Sequence, residues 1–135
     1  HALRLFENPG NGNDWINIRL VGVKPPRGSG RGSNRAAIGA RLTVHVESAP
    51  EGGTRAMRAL HRTIGSGGSF GANPMEQHVG LGANATDVSI DVWWPASNTR
   101  QHFANVQKNQ FLEITEFAKD YARVERKAVR LGGSK

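Results

Sequence analysis

Apolar and polar residues alternate through much of this chain. Ile16, Ile18 and Leu20 are separated by Asn17 and Arg19. Ala40, Leu42, Val44 and Val46 alternate with Arg41, Thr43, His45 and Glu47. Val88, Ile90, Val92 and Trp94 alternate with Asp87, Ser89, Asp91 and Trp93, and Leu112 and Ile114 with Phe111, Glu113 and Thr115. A period of two places one side of each run in a core and the other in water, as in antiparallel strands. Weaker strand candidates lie at 2–6, 55–64, 75–80 and 100–106. Segments rich in Gly, Pro, Asn and Ser separate them. The expected fold is all-β: an antiparallel β-sandwich or flattened barrel of about eight strands.

The last stretch has a different rhythm. Phe117, Tyr121, Val124, Ala128 and Leu131 recur at spacings of four and three, opposed by Lys119, Arg123, Arg126, Lys127 and Arg130. This predicts one C-terminal amphipathic helix over 117–131, ended by Gly132-Gly133. Its expected role is to pack on the sheet or to fasten the domain to a neighbour. Three segments follow: 1–13 as a linker or the end of a preceding unit, 14–116 as the β domain, and 117–135 as helix and tail.

With 135 residues the chain is one domain. It has no cysteine, which excludes disulfides, thiolate metal sites and a Cys nucleophile. No apolar run is long enough for a membrane-spanning helix. The formal net charge of +7 suits an acidic partner, such as an anionic glycan or nucleic acid. The most basic loop runs from Pro25 to Arg35; with Lys24, Arg27, Arg31, Arg35 and Arg41 it forms a candidate anion-binding set. The loop contains no aromatic residue to stack on bases, which disfavours nucleic acid. Neither this loop nor the one at 65–71 has the Gly-Lys-Ser/Thr ending of a phosphate loop.

Enzyme signatures are sparse. Five histidines are present, with no HExxH pair and no Gly-x-Ser-x-Gly elbow before a helix. His1 offers one route to catalysis, because an N-terminal amine and imidazole can chelate copper, as in a secreted copper oxidase. That requires His1 to be a mature terminus rather than an internal boundary. No EF-hand loop occurs. No cofactor is implied, although backbone oxygens could hold calcium. Asn84-Ala85-Thr86 is a glycosylation sequon, meaningful in a eukaryotic secretory setting. Trp94 shares the apolar phase of its strand and is expected in the core. Trp93 is on the opposite phase with Asp91, and His45 is on the polar phase of its own strand. Trp93, Asp91 and His45 form the candidate ligand-binding set, with the indole as a platform for a sugar or a partner surface.

Several segments in order resemble one family. They are Asp14 to Gly22; Ser33-Asn34-Arg35-Ala36-Ala37-Ile38-Gly39-Ala40-Arg41-Leu42-Thr43-Val44; Gly68-Ser69-Phe70-Gly71-Ala72-Asn73-Pro74; His78-Val79-Gly80-Leu81-Gly82; Val92-Trp93-Trp94-Pro95; and Asn109 to Glu116. Together they resemble the ASPIC/UnbV domain. The resemblance implies a domain attached to FG-GAP/VCBS-type propeller repeats in secreted proteins such as cartilage acidic protein, and 2–8 looks like the end of such a repeat. The motif residues are Asn34, Arg35, Gly39, Ser69, His78, Gly80, Gly82, Trp94 and Pro95. They are expected to be architectural, with tight backbone at the three glycines and an organised loop at Asn34 and Arg35. The long Pro-Arg-Gly loop, the basic tail and the lack of a cysteine-rich module point to a bacterial secreted or periplasmic protein. The expected function is non-catalytic binding or assembly, through a preceding propeller, another protein surface or a glycan. An exposed edge strand offers a route to a homo-oligomer.

Overall fold

The alternating runs become strands because only paired backbone lets each run bury one side without stranding its N–H and C=O groups. A computed structural model describes residues 11–24, 30, 32–49, 53–68 and 71–127. The strands are β1 (Asp14–Val21), β2 (Arg41–Ser48), β3 (Ala56–Thr63), β4 (Gly67–Gly68), β5 (Gly71–Ala72), β6 (Glu76–Gly82), β7 (Ala85–Trp94), β8 (Thr99–Phe103), β9 (Gln110–Thr115) and β10 (Ala122–Val124). Sheet A has the order β10-β9-β1-β6 and sheet B the order β3-β2-β7-β8, while β4 and β5 form a separate ribbon. The strand candidate at 2–6 lies outside the described residues.

The core forms from the inward phase of the central strands. Ile16 and Ile18 of β1, Val44 and Val46 of β2, Ile90 and Trp94 of β7, and Ile114 of β9 are fully buried. These positions continue in one cluster through Val79, Leu81, Leu112 and Phe103. The edge strand β3 differs. Seven of its eight residues are exposed, and only Leu60 packs partly on the core. Its inward-phase Arg58 instead donates to the Leu81 carbonyl of β6, bridging the two sheets at that edge.

Two expectations need correction. The sheets are not wholly antiparallel: β1 and β9 pair in parallel, with Ile18 beside Leu112, across most of the chain length. The C-terminal helix is absent among the described residues. Phe117 adopts φ +67°, a left-handed conformation that no helix interior tolerates, and Ala118 N–H closes a turn on Thr115 C=O at 3.0 Å. The chain then returns as β10 against β9, pairing Val124 with Phe111. Phe117 is 53% exposed, Tyr121 meets Phe103 edge-on, and Arg126 lies over the Phe111 ring. The three-and-four spacing of these side chains therefore serves a turn and an edge strand. Ala128 and Leu131 lie outside the described residues. No helix among the described residues is long and apolar enough to cross a membrane.

Candidate functional site

Strand pairing fixes which polar side chains meet on the outer face of sheet B. Thr43 of β2 stands between His61 of β3 and Asp91 of β7, and Asp91 stands beside His102 of β8. In the adjoining row Trp93 sits between Arg41 and Arg100. Cross-strand neighbours on one face lie about 5 Å apart, so these two rows bring seven functional side chains together. All of them but His102, together with His45 from the next row, line an open concavity of about 570 Å³.

Asp91 is the hub of the first row. Its Oδ2 is 2.8 Å from His45 Nε2, and its Oδ1 is 2.8 Å from His102 Nδ1. An ionised carboxylate only accepts, so both imidazoles donate to it, which sets the tautomer of each neutral ring. Burial pushes the Asp91 carboxyl upward, but the bonds from His102 and His45 outweigh this and hold it below the usual carboxylate range. His61 Nδ1 is 3.1 Å from Thr43 Oγ1. Ser89 faces His45 across the ladder, but no hydrogen bond joins them, so a Ser–His–Asp relay is not assembled here.

Trp93 is the hub of the second row. The guanidinium carbons of Arg41 and Arg100 lie 4.8 Å and 5.2 Å from its ring centroid, within cation–π range. Its Nε1 is buried without a hydrogen-bond partner, so the indole acts here through its π-surface.

Trp93, Asp91 and His45 thus share one face, and Arg41 of the anion-binding set joins them. Lys24, just before the basic loop, and Arg35, its last residue, are exposed and are not among the residues lining this concavity. Arg27 and Arg31 lie outside the described residues, as do His1 and its copper chemistry. Among the described residues no group of three His, Asp or Glu side chains is placed to hold a metal ion. The face also contains Arg100, His102, His61 and Thr43, which the sequence reading did not single out. The outward phase of β8 was the available signal for Arg100 and His102.

Most motif residues occupy structural positions. Asn34 clamps its own loop, donating from Nδ2 to Ile38 C=O at 2.9 Å and accepting from Ile38 N–H at 3.0 Å. The Arg35 carbonyl accepts from Gly22 N–H at 3.3 Å. Gly39 and Gly82 have φ of +96° and +77°, conformations that favour glycine. Gly80 departs from the expectation of tight backbone, because a side chain there would meet nothing within 4 Å. His78 stacks on Trp15 at 5.8 Å on the outer face of sheet A. Trp94 is fully buried, and its indole N–H donates to Gln101. Pro95 is exposed in the following turn, and Ser69 lies outside the described residues.

The loop bearing Asn34 is anchored by a buried glutamate that the sequence reading did not assign. Glu116 is only 2% exposed. Its Oε2 accepts from Val23 N–H and Ser33 N–H, both at 2.9 Å, and its Oε1 from Ser33 Oγ at 2.8 Å and Ser97 Oγ at 2.6 Å. Gln101 holds the neighbouring turn by donating to Thr115 C=O and Ala118 C=O.

No curated protein and no solved structure matches the chain. A family model described as "ASPIC and UnbV" matches residues 30–120, from the basic loop through β9 and the turn after it. That span covers about two thirds of the chain, all of sheet B and two of the four strands of sheet A, and the chain belongs to the ASPIC/UnbV family.

Proposed function

We propose that this domain is a non-catalytic binding module of a secreted, propeller-repeat protein, and that it takes a glycan on the outer face of sheet B. The observation that carries this reading is the convergence of Trp93, Asp91 and His45, from three separate polar-phase positions, on one open concavity. An aromatic ring beside fixed hydrogen-bonding groups provides both an apolar contact and orientation for a sugar. Family membership supports the propeller context, since ASPIC/UnbV domains accompany FG-GAP repeats.

Titration against a panel of oligosaccharides tests the reading. Trp93→Ala is expected to weaken binding by about 1–3 kcal/mol, the loss typical of a central aromatic anchor. Unchanged affinity in this variant would remove the face from the account. Binding of a protein partner with no saccharide affinity would replace the glycan with a protein surface.

A further inference from the structure

Among the described residues, two cations on the sheet B face make no ion pair. Arg41 and Arg100 are both exposed, and neither makes an ion pair with a carboxylate among the described residues. By contrast, Arg19 in β1, Arg55 just before β3 and Arg126 just after β10 each pair with a glutamate. The nearest acid on the face, Asp91, has both oxygens engaged by His45 and His102. The end of the face around Trp93 is therefore positive.

The indole gives these cations a fixed setting. Arg41 and Arg100 flank Trp93 in register on β2 and β8 and lie against its ring. Stacking restrains guanidinium groups that would otherwise lose rotamer freedom on binding, and leaves their N–H edges available to acceptor oxygens. Two strand spacings, about 9–10 Å, separate the backbones of β2 and β8. That separation suits successive acidic groups along one polymer better than a single small anion.

We infer that the ligand of this face is an acidic polysaccharide, gripped through its carboxylate or sulfate groups by Arg41 and Arg100 on either side of Trp93. This rests on the glycan reading above and adds the chemical class of the glycan. Trp93 is the one Trp, Tyr or Phe on the outward phase of the sheet B strands, whereas single-stranded nucleic acid is held by stacking successive bases on several aromatic rings.

The test is a titration of the whole chain with four probes of similar length: an oligouronate, a sulfated oligosaccharide, a neutral oligoglucan and a single-stranded oligonucleotide. Each is measured at two salt concentrations. Arg41→Gln and Arg100→Gln are compared with Lys119→Gln, which removes the same charge from an exposed position elsewhere. Arg41→Lys retains the charge but loses the planar stack. At least one acidic saccharide is expected to bind about tenfold or more tighter than the neutral one. Each Arg→Gln change is expected to weaken it by about tenfold and flatten its salt dependence, while Lys119→Gln has little effect. The uronate and sulfate arms identify which acidic group is read. Equal binding of neutral and acidic probes, abolished by Trp93→Ala, would overturn the inference and leave the glycan reading standing. Equal losses in Lys119→Gln and the two Arg variants, or tightest binding of the oligonucleotide, would also overturn the inference. No saccharide binding at all would overturn both.

Discussion

Glu116→Ala is expected to cost the domain about 3–5 kcal/mol, enough to unfold a domain of ordinary stability under mild denaturant. The buried carboxylate satisfies two backbone N–H groups and two hydroxyls, those of Ser33 buried and those of Val23 and Ser97 partly so. Without it, the Val23 and Ser33 amides lose their acceptor, at about 1–3 kcal/mol for each orphaned donor. The hydroxyls of Ser33 and Ser97 can turn elsewhere and add less. Glu116→Gln keeps the volume and one acceptor oxygen and should lose roughly half as much. Urea denaturation of the three proteins would reveal this order; a loss below about 1 kcal/mol in the Ala variant would show that Glu116 is dispensable.

The same carboxylate sets an acid limit. Burial pushes the Glu116 carboxyl upward, but the bonds from Ser97, Val23 and Ser33 outweigh this and hold it below its ordinary value. A depressed folded-state pKa means that the unfolded chain binds the proton more readily. The stabilisation is complete above the unfolded value of about 4.3 and is lost as pH falls through the lower folded value. The stability difference between the native protein and Glu116→Gln should therefore shrink as pH drops from 6 to 3. Parallel acid curves for the two proteins would contradict this account.

Gly22→Ala is the second large effect, expected at about 3 kcal/mol, the upper end of the cost of overpacking. A Cβ at this position would lie 2.0 Å from the Asn34 carbonyl oxygen and 2.9 Å from Ser33 Cβ. The obstacle is backbone rather than the tip of a flexible side chain, so the end of β1 or the Ser33–Asn34 loop must move. Gly22 also donates to Arg35 C=O, a bond that this displacement stretches. Because Gly22 adjoins Val23, which donates to Glu116, the losses from Gly22→Ala and Glu116→Ala should sum to more than the loss in the double variant. Thermal melting of the single variants and the pair would measure the coupling. A Gly22→Ala protein as stable as the parent would show that this corner is loosely packed.

The alternation of β1, β2, β7 and β9 was legible because a half-buried strand leaves a period-two trace in its own residues. From that trace alone, Trp94 belonged inside and Trp93 outside, and both are so placed. The C-terminal segment was misread because spacing does not distinguish a helix from a turn followed by an edge strand. The left-handed backbone at Phe117 leaves no mark in hydrophobic periodicity. Glu116 continues the inward phase of Leu112 and Ile114, so a carboxylate on the core side was visible in principle. Its partners, Ser33 and Ser97, come from distant turns that only the folded chain brings together. The site was half legible for a similar reason. Phase put Asp91 and His45 on outward faces, but only the strand order of sheet B placed β8, with Arg100 and His102, next to β7.

The parallel pairing of β1 with β9 has a consequence for how the chain reaches its native state. Asn17 must find Phe111, so the centre of sheet A closes a loop of more than ninety residues. Sheet B can form earlier, since β2, β3, β7 and β8 join through shorter connections. On a ribosome, β1 would wait with only β6 for a neighbour until β9 emerges, its other edge exposed meanwhile. Such non-local closure places folding in the millisecond-to-second range typical of β-sandwiches rather than the microsecond range of helical bundles. During that interval the unfinished half-sandwich, with its open strand edge, is the species most exposed to aggregation and in need of a chaperone.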